Sequence, residues 1–365
     1  MVGLAAIVGT AVVLAVLWDT FETIVLPRRV TRKIRITRLF YQYSWAPAKW
    51  LAKRYRNPRR RDSFLALYGP LSLLLLLMTW AAGLVIGFAT LQWAAGTALE
   101  GTQMGRDFGT DVYFSGSTLF TLGMGDVHPT NSVARALSVV EAGLGFGFLA
   151  LVISYLPVVY QSFSRRELHI SLLDARAGTP PTATELLRRN SGDGMKYLDN
   201  ILHEWEHWAA DLLESHISYP VLAYFRSQHD NQSWITALTA VLDAAALCQA
   251  GVQGAPVRQS QLTFAMARHA IVDLAQVFNT APLPPPEDRL PSDRLQRLRM
   301  YLADAGVKVD DGPTVERRLA DLRAMYEPYV NAMATHFLVE LPPWMRSAEA
   351  RDNWKTSRWG GAMTA

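Results

Sequence analysis

Between Asp62 and Glu100 the chain runs for 37 residues, Ser63 to Leu99, without a single charge. A bilayer is already crossed by about 20 apolar residues, so a run of this length is built for lipid rather than for a water-soluble core. Two further apolar stretches flank it. Val2 to Trp18 is uncharged, and apolar character resumes at Ile24, Val25 and Leu26 after Asp19 and Glu22; residues 136–164 carry one charge, Glu141. The sequence therefore predicts three spans. Leu71 to Gln92 is the crossing part of the second, with Gly69-Pro70 separating it from an interfacial approach. The first stretch lacks a basic start and reads as a span rather than as a cleaved leader.

Charge is distributed as unevenly as hydrophobicity. Residues 28–61 hold 13 Lys or Arg and no acid, interleaved with Phe40, Tyr41, Tyr43, Trp45, Trp50 and Tyr55. Such a segment suits an anionic membrane surface, with rings at headgroup depth and basic side chains reaching outward. It reads as a topology anchor, and a lipid-regulated role stays open. The positive-inside rule puts it in the cytoplasm with Met1 outside, and Arg165-Arg166 then ends the third span on the cytoplasmic side of the plasma membrane. Asp19 and Glu22 share a helical face near the inner end of the first span, where Arg28, Arg29 or Arg32 would meet them; a proton site is the alternative. Residues 164–365 hold 21 basic and 24 acidic residues, so the basic balance belongs to one connecting segment and does not indicate a nucleic-acid partner. No span repeats Lys or Arg at every third residue, which argues against a voltage-sensing helix. Cys248 is the single cysteine and offers neither an intrachain disulfide nor a cysteine-based metal site.

Before the third span stands Thr118 to Asp126, T-L-F-T-L-G-M-G-D. Alternating Thr and Gly suit a ribbon that turns its carbonyls to one side, since glycine reaches the positive φ such a ribbon needs. Thr118, Thr121, Gly123, Gly125 and Asp126 match the T-x-x-T-x-G-x-G-D pattern, and the stretch resembles the selectivity filter of potassium channels, the carbonyl-ring filter that is the standard example of such a site. The resemblance covers about residues 63–165, the two-span and pore-loop module, with an additional N-terminal span in front.

It implies an all-α membrane protein with three transmembrane helices, a re-entrant pore helix and filter, and a helical cytoplasmic domain. It further implies a homotetramer, because one filter strand cannot encircle an ion. K+ is then the permeant ion, held by the carbonyls of Thr121, Leu122, Gly123, Met124 and Gly125 and the Thr121 hydroxyl. Thr118 and Asp126 support the filter, with Asp126 bonded to groups of the pore helix, and no cofactor or catalysis is expected. Leu122 and Met124 would point away from the axis and pack on the pore helix. Met124 departs from the commonest pattern, which has an aromatic there; a methionine cannot take a hydroxyl hydrogen bond from Thr118, so weakly selective monovalent conduction is the alternative.

Glu141 lies one turn before Gly145 and, as an acid at membrane depth, calls for a partner among Ser115, Ser117 and Thr118. Gly145 stands twenty residues beyond Gly125, where channels of this kind often bend. Gly143, Gly145 and Gly147 read either as hinge or as close packing, and Pro157 adds a possible kink. Glu141, Gly145 and Pro157 are thus the gating candidates, with Ile153, Leu156 and Tyr160 as candidates for the inner mouth. Glu100, Asp107 and Asp111 would cap the outer side, and His128 is either an acid sensor or an ordinary loop histidine.

The division expected is 1–27 first span, 28–62 basic linker, 63–164 pore domain, 165–340 helical cytoplasmic domain and 341–365 tail, the last reading as poorly structured despite Trp344, Trp354 and Trp359. Within the cytoplasmic part Thr182 and Glu185 form a capping box, Pro282 to Pro291 reads as an extended linker, and Val315 to Met333 reads as one helix with a heptad-like stripe kinked at Pro328. His203-Glu204-Trp205-Glu206-His207 spells H-E-x-x-H, the zinc-hydrolase pattern, with His216 or Glu214 as uncompelling third ligands. A membrane metallohydrolase and a non-conducting scaffold are therefore the rival functions. Neither a dinucleotide fingerprint nor a cyclic-nucleotide fold is legible, so the cytoplasmic ligand is unknown.

Overall fold

The computed structural model describes residues 2–26, 35–95, 99–101, 107–192, 195–228, 231–347 and 352–353. Within them the chain is an all-α membrane protein with one short two-stranded ladder. Three helices, Val2–Val25, Pro58–Ala94 and Ser132–Ala177, are long and apolar enough to cross a membrane. The chain divides into two compact units, Met1–Arg56 with Leu67–Gln161, and Asn57–Ala66 with Ser162–Ala365.

In the first unit α1 (Val2–Thr20) ends in a wider π turn, Phe21–Val25, and is followed by α2 (Ile36–Ala52) and α3 (Pro58–Ala94). Small residues let α1 and α3 approach closely. A Cβ at Gly87 would lie 2.7 Å from Val13 Cγ2, one at Gly83 2.8 Å from Val16 Cγ2, and one at Gly9 2.9 Å from the Gly87 carbonyl. Gly83 and Gly87 are spaced G-x-x-x-G, the pattern that packs helices where no hydrophobic force separates lipid from protein.

One end of the pair is tied by a buried acid. Asp19 accepts from Trp80 Nε1 at 2.9 Å, from the Thr37 amide at 3.0 Å and from its hydroxyl at 2.6 Å. Arg35 Nε stands 3.8 Å from Asp19 and 3.4 Å from Glu22, and Trp18 Nε1 donates to Glu22 at 2.8 Å. Among the described residues the cation meeting the two acids is Arg35. Arg28, Arg29 and Arg32, the partners expected from sequence, lie outside the described residues.

Contrary to the expected break at Gly69-Pro70, α3 runs unbroken through both. Proline removes only its own donor, while an open turn in an apolar setting would strand several backbone groups; Ser72 Oγ takes the Gly69 carbonyl at 2.8 Å. Tyr41, Trp45 and Ala52 form the buried face of α2, with the Trp45 ring centre 4.9 Å from that of Tyr68, the two rings tilted, and Ser44 bonded to the Tyr68 hydroxyl. Its other side exposes Leu39, Tyr43 and Trp50 beside Arg38, Lys53 and Arg54.

β1 (Leu99–Gly101) pairs antiparallel with β2 (Val127–Pro129), setting Glu100 opposite His128. Between them lies α4 (Phe108–Leu119), capped by Asp107, whose carboxylate accepts from the Thr110 amide and hydroxyl at 2.9 Å each. α5 (Ser132–Ala177) then continues far beyond the width of a bilayer.

The second unit is helical: α6 (Ala183–Arg189), α7 (Lys196–Ser218), a 3-10 turn (Pro220–Tyr224), α8 (Trp234–Ala250), α9 (Val257–Val277), α10 (Ser292–Ala303), α11 (Pro313–Ala324) and α12 (Glu327–Phe337). Every residue of α8 is buried, as expected of a helix apolar on all sides, and it forms the centre of the unit. Thr182 caps α6 through the Glu185 amide, but the Glu185 carboxylate leaves the expected box to bind Arg188, Arg189 and Tyr301. Burial opposes its charge; the bonds from Arg188, Tyr301 and Arg189 outweigh that and hold its pKa at about 2.

Three expectations for this part are corrected. Val315 to Met333 is not one kinked helix but α11 and α12, broken at Met325-Tyr326, with Pro328 in the first turn of α12 where its missing N–H is harmless. The Pro282–Pro291 segment is no free linker. Its Arg289 grips Asp243 with both nitrogens at 3.2 and 2.7 Å, Glu327 at 3.0 Å and the Pro342 carbonyl at 2.9 Å. Asp288 binds Arg323, which also clasps Glu327, and the Tyr326 hydroxyl donates to Asp243. The start of the tail is packed too, because Trp344 is buried under the guanidinium groups of Arg289 and Arg323, each 5.6 Å from its ring, and its carbonyl accepts from Thr184. Trp354 and Trp359 lie outside the described residues.

Removing the central cation of this network leaves the buried Asp243 without a cation and Glu327 with Arg323 alone. Arg289→Met is expected to destabilise the second unit by about 3–5 kcal/mol, read as a lowered unfolding midpoint of the purified chain in denaturant titrations.

Candidate functional site

α4 ends at Leu119, and the next residues leave it as a ribbon. The Phe120 amide still bonds the Gly116 carbonyl at 3.1 Å, Thr121 bonds Thr118 at 3.1 Å and Leu122 bonds Ser117 at 2.8 Å, so the ribbon begins on the last turn of the helix. From there φ alternates in sign: Thr121 (57°), Gly123 (57°) and Gly125 (78°) are left-handed, while Leu122 and Met124 are not. Alternation of this kind turns successive peptide groups the same way. Glycine adopts it freely; Thr121 does so as a residue for which positive φ is uncommon and is a mark of functional backbone. The C-terminal, partly negative end of α4 leads directly into the ribbon and favours a cation near it.

Leu122 and Met124 are 67% and 69% exposed. Within one chain their side chains are therefore not buried against α4, where the sequence placed them. Beyond it, Asp126 accepts from the Tyr113 hydroxyl of α4 at 2.9 Å and from the Val127 amide at 3.1 Å. The far end of the ribbon is thereby tied back to the first half of α4. Nothing in the local sequence of Tyr113 marks it as the partner of an acid thirteen residues ahead.

Behind the ribbon α4 rests on α5. A Cβ at Gly145 would sit 2.0 Å from the Leu119 carbonyl oxygen, so no side chain fits there. Gly143 and Gly147 have nothing within 4 Å of such a Cβ. Of the two readings left open for these glycines, close packing accounts for Gly145. One turn earlier on each helix, Ser115 bonds the fully buried Glu141, and its Oγ stands 2.9 Å from the Val85 carbonyl of α3. Of the three candidate partners for Glu141, the structure selects Ser115. Gln92 of α3 reaches the Ser138 hydroxyl at 3.2 Å, and Asn131 both caps α5 and donates to the Ala95 carbonyl. Pro157 lies inside α5 without ending it; Ile153 and Tyr160 are exposed and Leu156 is half-buried. His128 is exposed on β2.

The H-E-x-x-H motif falls on α7. His203 and His207 meet edge to face with ring centres 4.6 Å apart. Glu204, however, turns to Arg176 at 2.6 Å and Glu206 to Gln259 at 2.7 Å. His216 is buried against Arg166, with burial and then that cation holding its imidazole well below the usual range. No group of three metal-ligating side chains occurs among the described residues.

Residues 74–162 match a family model described as "Ion channel". That match supports an ion channel and names no ion. It takes in the last half of α3, α4, the ribbon and most of the membrane part of α5. The chain is also similar to "Uncharacterized membrane protein YdjJ" of Bacillus subtilis (strain 168), 23% identical over 239 residues, covering 64% of this chain and 69% of that protein. No solved structure was found to match.

Gly145→Ala is expected to displace α4 and abolish ion flux in reconstituted vesicles, whereas Gly143→Ala and Gly147→Ala retain it, because only the first places a methyl group on the Leu119 carbonyl.

Proposed function

We propose that four copies of this chain form a cation channel of the plasma membrane that prefers potassium, conducting through the backbone carbonyls of Thr121, Leu122, Gly123, Met124 and Gly125. The observation that carries the reading is the alternating φ of Thr121, Gly123 and Gly125 at the C-terminal end of α4. A permeating ion must trade hydration water for protein oxygens without being trapped, and a one-sided row of carbonyls answers that need. One ribbon supplies one side of such a ring. The exposed Leu122 and Met124, with Val139, Phe146 and Ile153 along α5, are the apolar surfaces that further copies would cover.

In this reading Thr118 and Asp126 support the filter, and Glu141, Gly145 and Pro157 connect it to movement of α5. The second unit lies in the cytoplasm and the N-terminus outside, following the charge arrangement. The basic, aromatic face of α2 rests on lipid headgroups. A weakly selective monovalent channel is the second reading, favoured by Met124, whose flexible, hydroxyl-free side chain leaves the ribbon without an aromatic brace.

Reversal potentials in vesicles with potassium on one side and sodium on the other separate the two. A potential near that of potassium supports the first reading and a value near zero the second. Gly123→Asp, which puts a carboxylate into the ribbon, is expected to abolish the current; unchanged current in Gly123→Asp would remove the ribbon from the conduction path.

A further inference from the structure

Ser115 and Glu141 pose a hydrogen-counting problem. Both are fully buried, on α4 and α5 respectively. The serine hydroxyl has one hydrogen, yet it faces two acceptors, the Val85 carbonyl of α3 at 2.9 Å and Glu141 Oε1. A carbonyl cannot donate. If the carboxyl were ionised it could not donate either, and one contact would be a close approach of two acceptors. Among the described residues no cation would compensate the charge. α3 has no charged residue from Ser63 to Ala94 and α4 carries only the acid Asp111. Arg135, on the first turn of α5, donates to the Pro129 carbonyl. Glu141 Oε2 has no hydrogen-bond partner. An ionised carboxylate in a fully buried site with one oxygen bonded to no protein group is among the costliest arrangements a protein can hold.

We infer that Glu141 is a neutral carboxylic acid that donates to Ser115 Oγ, which in turn donates to the Val85 carbonyl, so that one proton completes a chain joining α5, α4 and α3 directly behind the ribbon. Both contacts then become proper hydrogen bonds, and Oε2 is left as a neutral carbonyl oxygen. The chain sits one turn from the Gly145–Leu119 contact on both helices, so the two together hold α4 at two consecutive turns. Glu141 is on this view a positioning residue for the ribbon, acting through α4 without touching the ion. The protonation is independent of what the protein conducts; its effect on conduction rests on the channel reading above.

The experiment pairs infrared difference spectra with flux, both on the purified full chain in lipid. A protonated-carboxyl band at neutral pH, absent in Glu141→Gln and shifted in Ser115→Ala, is expected; a carboxylate band in its place overturns the inference. Glutamine keeps a donor and leucine does not, so Glu141→Gln is expected to retain flux within about twofold while Glu141→Leu loses about tenfold or more. Equal loss in both overturns the positioning role, and if the leucine variant does not assemble, Ser115→Ala supplies the donor-deficient comparison. Absence of flux from the wild-type protein overturns the channel reading, while the infrared band still decides the protonation.

Discussion

The contact between the Leu119 carbonyl and Gly145 fixes everything around it. A helix that ends against another helix's backbone can be placed there only if the receiving position has no side chain. The ribbon starts one residue later, so its origin is set by that contact, and its other end is set by the Tyr113–Asp126 bond. Between those two points alternating backbone conformations do the rest. The ribbon owes its shape to helix packing and to φ, with side chains acting as struts at its ends.

The helices that frame it are held by different physics in the two units. Within the first, small residues and a few buried polar groups substitute for the hydrophobic effect, which has little purchase between helices in lipid: Gly9, Gly83 and Gly87 set the spacing, and Asp19 with Trp80 and Thr37 sets the register. Within the second, the last part of α5 is fixed by a buried arginine. Arg166 donates to Glu167, to the Leu222 and Phe225 carbonyls and toward His216, while Trp208 bonds its backbone. The first turns of α3 are held there by Arg61 and Glu340 at 3.3 Å, a half-exposed pair worth little by itself. Phe225 and Arg226 are adjacent, and Arg226 binds the Phe337 carbonyl at the end of α12, three residues before Glu340. One short stretch of the second unit thus receives the anchor of α5 and braces the segment that meets α3.

Much of the fold was legible because lipid imposes a coarse and strict pattern: uncharged runs gave the three spans, and T-L-F-T-L-G-M-G-D marked the ribbon. Charge rules were less informative about partners. Asp19 and Glu22 stood out as needing a cation, and among the described residues Arg35 answers, which no local pattern marked. The glycines of α5 looked alike in sequence, and only the position of α4 distinguishes Gly145 from Gly143 and Gly147. Proline misled three times, at Pro70, at Pro328 and at Pro282 to Pro291, because its effect depends on what surrounds it: a continuous helix in the first case, the opening turn of α12 in the second, an ion network around Arg289 in the third. The H-E-x-x-H pentapeptide brought its two histidines together as helical spacing requires, while Glu204 took an arginine instead.

The central claim is that the carbonyls from Thr121 to Gly125 of several copies surround a cation. Crystals of the full chain in rubidium or thallium, heavy stand-ins for potassium, test it through anomalous scattering. The account predicts a column of peaks on a four-fold axis, spaced along those carbonyls. A well-ordered ribbon on such an axis with no cation beside it, or ribbons facing lipid away from any axis, would contradict it.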